Sequence, residues 1–141
     1  MTIGLTQLPF SDIVFFMNIS TNFPTFEDER GVLSWIFTVE KNITSILYIS
    51  SKAGAIRANH YHKKDIHYTY LISGEFEYSE KGLSENDQVD TKTVDPGMLV
   101  KTEANTIHAM KFIKDSSMVV FTSETRDQTA YEKDTVRVKL V

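Results

Sequence analysis

The chain has no cysteine in its 141 residues. That excludes disulfides and thiolate metal ligands, and it leaves the redox compartment open. It has no block of lysine or arginine, and its net charge is −4. Without a basic patch, neither a nucleic acid nor an anionic membrane is the expected partner. No apolar run reaches membrane-spanning length. Residues 1–20 lack a basic leading region and Asp12 interrupts their apolar run, so no secretory leader is expected and the protein reads as cytoplasmic. In that setting the sequons Asn18-Ile-Ser and Asn42-Ile-Thr read as chance. Internal repeats, linkers and low-complexity tracts are missing too. What remains, 24% charged and 41% apolar residues over 141 positions, is the make-up of a single globular domain with one core.

What is there is a succession of short apolar runs broken by turns. Ile13–Met17 reads as a strand or a short helix, and Glu27-Asp28-Glu29-Arg30-Gly31 as a turn carrying an Asp28–Arg30 ion pair. Strands are expected over 32–39, 43–50, 55–62, 66–73, 76–78, 89–94, 98–102, 107–113, 118–123 and 135–141. Glu40-Lys41-Asn42 and Asp95-Pro96-Gly97 turn the chain, the latter with proline presetting φ and glycine allowing φ > 0. Residues 124–134 read as a long polar loop or a short helix. About ten short strands without a convincing amphipathic helix predict an all-β antiparallel sandwich or barrel, most naturally a jelly roll with a cavity at one mouth.

The chemistry concentrates in one stretch. Three of the four histidines lie between Gly54 and Gly74, as His60, His62 and His67, and the fourth is His108. Strand alternation points His60 and His62 the same way, and Lys63-Lys64-Asp65 is short enough to be a hairpin turn that lets His67 face them. By the same parity Thr69 and Leu71 point inward with His67, as do Ile56, Ala58, Met110 and Phe112 on their strands. Tyr68, Tyr70 and Ile72 then point outward, where either a second copy of the chain or the N-terminal segment covers them.

The spacing Gly54-x5-His60-x-His62-x4-His67-x6-Gly74 resembles the first motif of the cupin family in every interval, with His67 where the family has glutamate. Gly97 and His108 keep the spacing of the second motif, while Glu103, Asn105 and Phe112 stand where it has proline, glycine and asparagine. The resemblance implies a cupin barrel, a double-stranded β-helix, with His60, His62, His67 and His108 around a divalent transition metal such as Zn, Fe, Ni or Mn. Neutral imidazole suits such ions, and an open coordination position makes a Lewis acid.

Phe26-Glu-Asp28-Glu-Arg30-Gly31 together with Arg57-Ala-Asn-His60-Tyr-His62 narrows the likeness. These runs are similar to cupins that act on nucleotide-linked keto-sugars, the dTDP-4-keto-6-deoxyhexose 3,5-epimerases and 3,4-ketoisomerases. They are also similar to the C-terminal cupin domain of capsular polysaccharide synthesis reductases. The resemblance implies His60 as the base that removes a proton beside a keto group, with His62 taking part and Arg57 on nucleotide phosphate. Strict alternation puts Arg57 opposite His60, so that role needs a bulge or a site shared with a neighbouring subunit. The epimerases' tyrosine acid has Phe121 near its place, and Tyr131 is the closest phenol. The expected protein is therefore a homodimeric, metal-binding isomerase or epimerase of a small-molecule substrate. Its cavity is lined by Thr69, Met110 and Phe112. A histidine-only dioxygenase-type cupin and a non-catalytic binding cupin are the alternatives.

Overall fold

A computed structural model describes residues 14–16, 18–36 and 42–141. The strands are β1 (Val14–Phe16), β2 (Ile19–Thr21), β3 (Thr25–Asp28), β4 (Gly31–Ser34), β5 (Ser45–Ser51), β6 (Ile56–His62), β7 (His67–Lys81), β8 (Asp90–Val94), β9 (Leu99–Thr102), β10 (Ile107–Thr122) and β11 (Thr135–Arg137). One helix, α1 (Gln128–Asp134), precedes β11. Among the described residues no helix is long and apolar enough to cross a membrane.

Two long strands hold the architecture together. β7 and β10 are antiparallel partners from Ile107↔Lys81 to Thr122↔His67, with register shifts between Phe112 and Met118. Their near halves carry β6, β8 and β11, and their far halves carry β5, β9, β2 and β1. The bend falls at Gly74, whose φ is +97°. A Cβ there would strike the Ser116 side chain and lie 2.5 Å from the Asp115 carbonyl, so the two backbones cross where only glycine fits. Each pair 66–73/76–78 and 107–113/118–123, expected as separate strands, is thus one strand bent at its middle. The bend folds the sheet onto itself as a jelly roll, and Leu71, Phe76, Tyr78, Val94, Val100, Phe112, Met118 and Val120 fill the space between the halves.

This topology corrects the expected histidine hairpin. β6 pairs with β10 and β11, not with β7. Residues 63–66 instead carry the chain from one half of the folded sheet to the other, so His67 faces His62 across the barrel mouth. The outward parity of Tyr68, Tyr70 and Ile72 holds, but their exposure does not. Tyr68 is 3% exposed and packs with Phe23 and Leu99, Tyr70 is half-buried beside them, and only Ile72 stays open at 49%. Phe23, from the N-terminal part of the chain, thus covers Tyr68 and Tyr70 in part and leaves Ile72 open. The first strand forms at Val14–Phe16, and the Asp28–Arg30 pair closes the β3–β4 turn. Phe37–Lys41, where the end of the expected 32–39 strand and the start of its turn were to run, lie outside the described residues. The last strand is only three residues long. Beyond it Asn59 Oδ1 accepts the backbone N–H of Leu140 (2.8 Å) and Val141 (3.0 Å).

Candidate functional site

β6 carries the first wall of the site. His60 and His62 face inward as alternation requires, but Ala58 (φ +67°) and Asn59 (φ +54°) are both left-handed. The ladder to β10 slips there, with His108 opposite His60 and Ala109 opposite Ala58. This bulge flips the parity of the strand. Arg57 lines the cavity together with Ala58 and His60, and Ile56, expected inside, is 48% exposed. Arg57 is held by Ser51 Oγ (2.6 Å from Nε) and the Ser50 carbonyl (3.0 Å from Nη2).

The four imidazoles meet. Ring centroids are 4.6 Å apart for His60–His62, 4.8 Å for His60–His108, 5.1 Å for His67–His108 and 5.5 Å for His62–His67. His62 and His108 are 2% exposed and His67 6%, while His60 is half-buried. Burial pushes His60 down to about 4 and His62 down to about 3, with His67 adding to both. Burial also holds His108 well below the usual imidazole range.

Hydrogen bonds fix which nitrogen is free. The Thr135 hydroxyl donates to the Tyr131 carbonyl (2.6 Å), so toward His62 Nδ1 (3.2 Å) it can only accept. His62 therefore carries its proton on Nδ1. His108 Nδ1 faces the Thr106 carbonyl (3.0 Å) and must donate as well. The Nε2 lone pairs of both rings are turned to the cavity, and that of His62 is buried without a partner among the described residues. A buried orphan acceptor beside two more imidazoles fits a cation. Single nitrogens of His60, His62 and His108 all lie within 4.8 Å of one another, the donor set a divalent transition metal takes. His67 belongs to a second group, with His62 and Asp65, and it donates its Nδ1 proton to Asp65 Oδ2 (3.0 Å).

Sequence reasoning passed over Asp65 as a turn residue. It is 2% exposed. It accepts from His67 Nδ1, from the Ser123 and Glu124 backbone N–H groups (3.1 Å each), from the Ser123 hydroxyl (3.3 Å) and from Arg126 Nη2 (3.1 Å). Burial alone would raise its carboxyl; the hydrogen bond from His67 and the charges of His67 and Arg126 outweigh that and hold it at about 2. Arg126 was missed too, because it sits in a polar loop without periodicity. Its signal is visible only in space, where the guanidinium lies 4.9 Å from the centre of the Tyr131 ring.

Tyr131 comes from α1. Asp127 caps that helix by accepting from the Ala130 N–H (3.1 Å). Asp134 at its other end accepts from the backbone of Lys64 (2.8 Å) and Asp65 (3.1 Å). So fastened, the Tyr131 ring stands 5.7 Å from His62 and 6.3 Å from His60. The cavity has a volume of about 320 Å³. Thr69 and Met110 line it as expected, with Leu47, Ile49, Met118 and Val120 as its apolar wall and Gln128 at its rim. Phe112 does not line it; at 1% exposure it belongs to the core against Phe76.

The fold has known counterparts. A mutant of the 3,4-ketoisomerase QdtA from Thermoanaerobacterium thermosaccharolyticum, solved with TDP-4-keto-6-deoxyglucose, superposes with a TM-score of 0.67 at 20% identity, over 87% of this chain and 89% of that one. The dTDP-4-dehydrorhamnose 3,5-epimerase of Sulfolobus tokodaii gives 0.69 at 15% identity, over 87% and 80%. The capsular polysaccharide assembling protein CapF of Staphylococcus aureus gives 0.63 at 16% identity, and this chain spans 34% of its length. These likenesses show the cupin jelly roll. No curated protein sequence matches the chain. A family model matches residues 17–139, and the chain belongs to that family, FdtA: WxcM-like, C-terminal.

Proposed function

We propose that the protein is an isomerase or epimerase of a nucleotide-linked keto-sugar. The observation that carries this reading is the asymmetry of the imidazoles. His62 and His108 are each tethered through Nδ1, whereas among the described residues no hydrogen bond holds His60, which is also the most open of the four. A loose imidazole beside the fixed phenol of Tyr131, in a cavity walled by methionine and aliphatic groups, is an arrangement for taking a proton from carbon and returning it. A base held at about 4 removes a carbon-bound proton only when a neighbouring carbonyl acidifies that carbon. His62, with its lone pair turned to the same space, takes part, and Arg57 suits a diphosphate. The solved QdtA and 3,5-epimerase, which share this fold, support the substrate class.

The test is proton exchange. Incubation with TDP-4-keto-6-deoxyglucose in D₂O should wash deuterium into the sugar carbon next to the keto group, followed by NMR, and His60→Asn should stop it. A wild-type protein that exchanges nothing sinks the reading.

The orphaned Nε2 of His62 favours a second state of the same site. His60, His62 and His108 would hold a divalent transition ion, which when bound supplies a Lewis acid to polarise a carbonyl. His60 serves as ligand or as base, not as both at once. Elemental analysis separates the two, with His108→Ala expected to lose any bound metal. The protein is further proposed to be a homodimer. Its edge strand β5 leaves Ile46 67% and Tyr48 70% exposed on one face, and sedimentation velocity of Tyr48→Glu should show a shift to monomer.

A further inference from the structure

We propose that Arg126 is a catalytic residue of this site, the donor that stabilises the oxyanion formed when a proton leaves the carbon beside the carbonyl; the assignment rests on the isomerase reading above. In that step His60 takes the proton, the C–H electron pair becomes a C=C bond, and the carbonyl π pair moves onto oxygen. Reprotonation at carbon runs the electrons back. The negative charge lives on the oxygen between the two transfers, and a site lowers that barrier with donors already in place.

Beside the neutral groups of Thr69, Gln128 and Tyr131, few groups in the cavity wall can donate. His62 and His108 spend their ring protons on the Thr135 hydroxyl and the Thr106 carbonyl, and they offer the cavity only lone pairs. Leu47, Ile49, Ala58, Met110, Met118 and Val120 are apolar. Arg57 lies further along β6 from His62 and is lashed to Ser50 and Ser51.

Arg126 is placed differently. Its Nη2 is tied to Asp65 at 3.1 Å, and its plane rests near the Tyr131 ring. The side chain is 18% exposed. Nε is buried without a partner, and Nη1 has no hydrogen bond among the described residues. A partly buried guanidinium with unfilled N–H groups is costly to a folded chain, and an anionic oxygen is a group that satisfies it. Asp65, itself held by three donors from Ser123 and Glu124, keeps the guanidinium from swinging away. The guanidinium is therefore prearranged beside the imidazoles.

The experiment compares wild type, Arg126→Gln and Arg126→Lys in two readouts. One is deuterium wash-in to TDP-4-keto-6-deoxyglucose, and the other is calorimetric affinity for TDP alone. Arg126→Gln should slow wash-in by about 10²–10³-fold, the cost of losing one oxyanion donor, while TDP binds as in wild type. Arg126→Lys keeps the ion pair with Asp65 and should recover part of the rate. Wash-in at the wild-type rate in Arg126→Gln overturns the assignment. So does parallel loss of wash-in and TDP affinity in both variants, which marks a purely structural arginine. If wild type itself binds TDP but exchanges nothing, the isomerase reading falls and takes this assignment with it.

Discussion

The middle of the barrel and its histidine end are built from different interactions, although β7 and β10 run through both. In the middle, Leu71, Phe76, Val94, Val100 and Met118 are each fully buried and pack in one apolar cluster with Tyr78. At the end, His62, Asp65, His67 and His108 are buried almost as deeply, yet each is placed by a named hydrogen bond. Burial of apolar area is non-directional and tolerates small shifts, whereas a buried polar group is stable only at the right distance and angle. The middle therefore supplies stability and the end supplies geometry. Tyr78 joins the two: its ring stacks on His108 at 29° and its hydroxyl donates to Glu80 at 2.9 Å.

The sharpest way to break this contrast is to damage each region separately. Phe76→Ala opens a cavity against Phe112 and should cost about 3–5 kcal/mol in urea unfolding, with the folded fraction still able to bind TDP. Asp65→Ala strips the partner from Arg126 and His67 at once. Leaving a buried cation unpaired costs about 3–5 kcal/mol, and here deuterium wash-in should vanish even where the protein stays folded. If the two variants lose stability and exchange in the same proportion, the division between middle and end is wrong.

Most of the histidine end was legible in the order of residues, because four imidazoles at fixed intervals on strands is a one-dimensional pattern. The spacing of His60, His62 and His67 and the turn at Gly97 needed no three-dimensional knowledge. Asp65 and Arg126 were not legible, since 61 residues separate them and no periodicity marks either. Strict alternation alone turns Arg57 away from His60, and the bulge that its expected role required is the one at Ala58 and Asn59, although nothing in Ala58 announces a left-handed backbone. Continuity of β7 and β10 was hidden by Ser73-Gly74-Glu75 and Asp115-Ser116-Ser117, which read as turns and are bends. The fold class survived these errors because it depends on strand number and alternation, not on where each strand ends.

Acid should act on the end before the middle. His60 sits at about 4 and His62 at about 3, against 6.5 in the unfolded chain. Between those values the unfolded chain takes up protons that the native one refuses, so stability falls as pH drops from about 6.5 toward 4. The slope is at most about 1.4 kcal/mol per pH unit for each histidine, and less for half-buried His60. Asp65 works lower down: its contribution is complete above its ordinary 3.8 and is lost as pH falls through about 2. Metal-free protein whose unfolding midpoint is flat from pH 7 to pH 5 would contradict this. Phe76→Ala should shift the whole curve down without changing its slope.

The smallest change tests the finest claim, that Thr135 sets the tautomer of His62. Thr135→Val keeps the shape and removes the hydroxyl, so the His62 Nδ1 proton loses its acceptor and only Asp134 Oδ2, at 3.8 Å, remains near. The loss of one hydrogen bond should cost about 1 kcal/mol. The stability change alone proves little, since the hydroxyl also caps the Tyr131 carbonyl at 2.6 Å. The informative readout is nitrogen-15 NMR of the His62 ring. Wild type should show the proton on Nδ1, and the variant a mixture of both tautomers. Any metal affinity should weaken by about 10–100-fold, as it does when a ligand's outer partner is removed. A variant that keeps the pure Nδ1–H form would move the control of His62 to Asp134 and make the C-terminal end of α1, with Tyr131 on it, the element that orients the base.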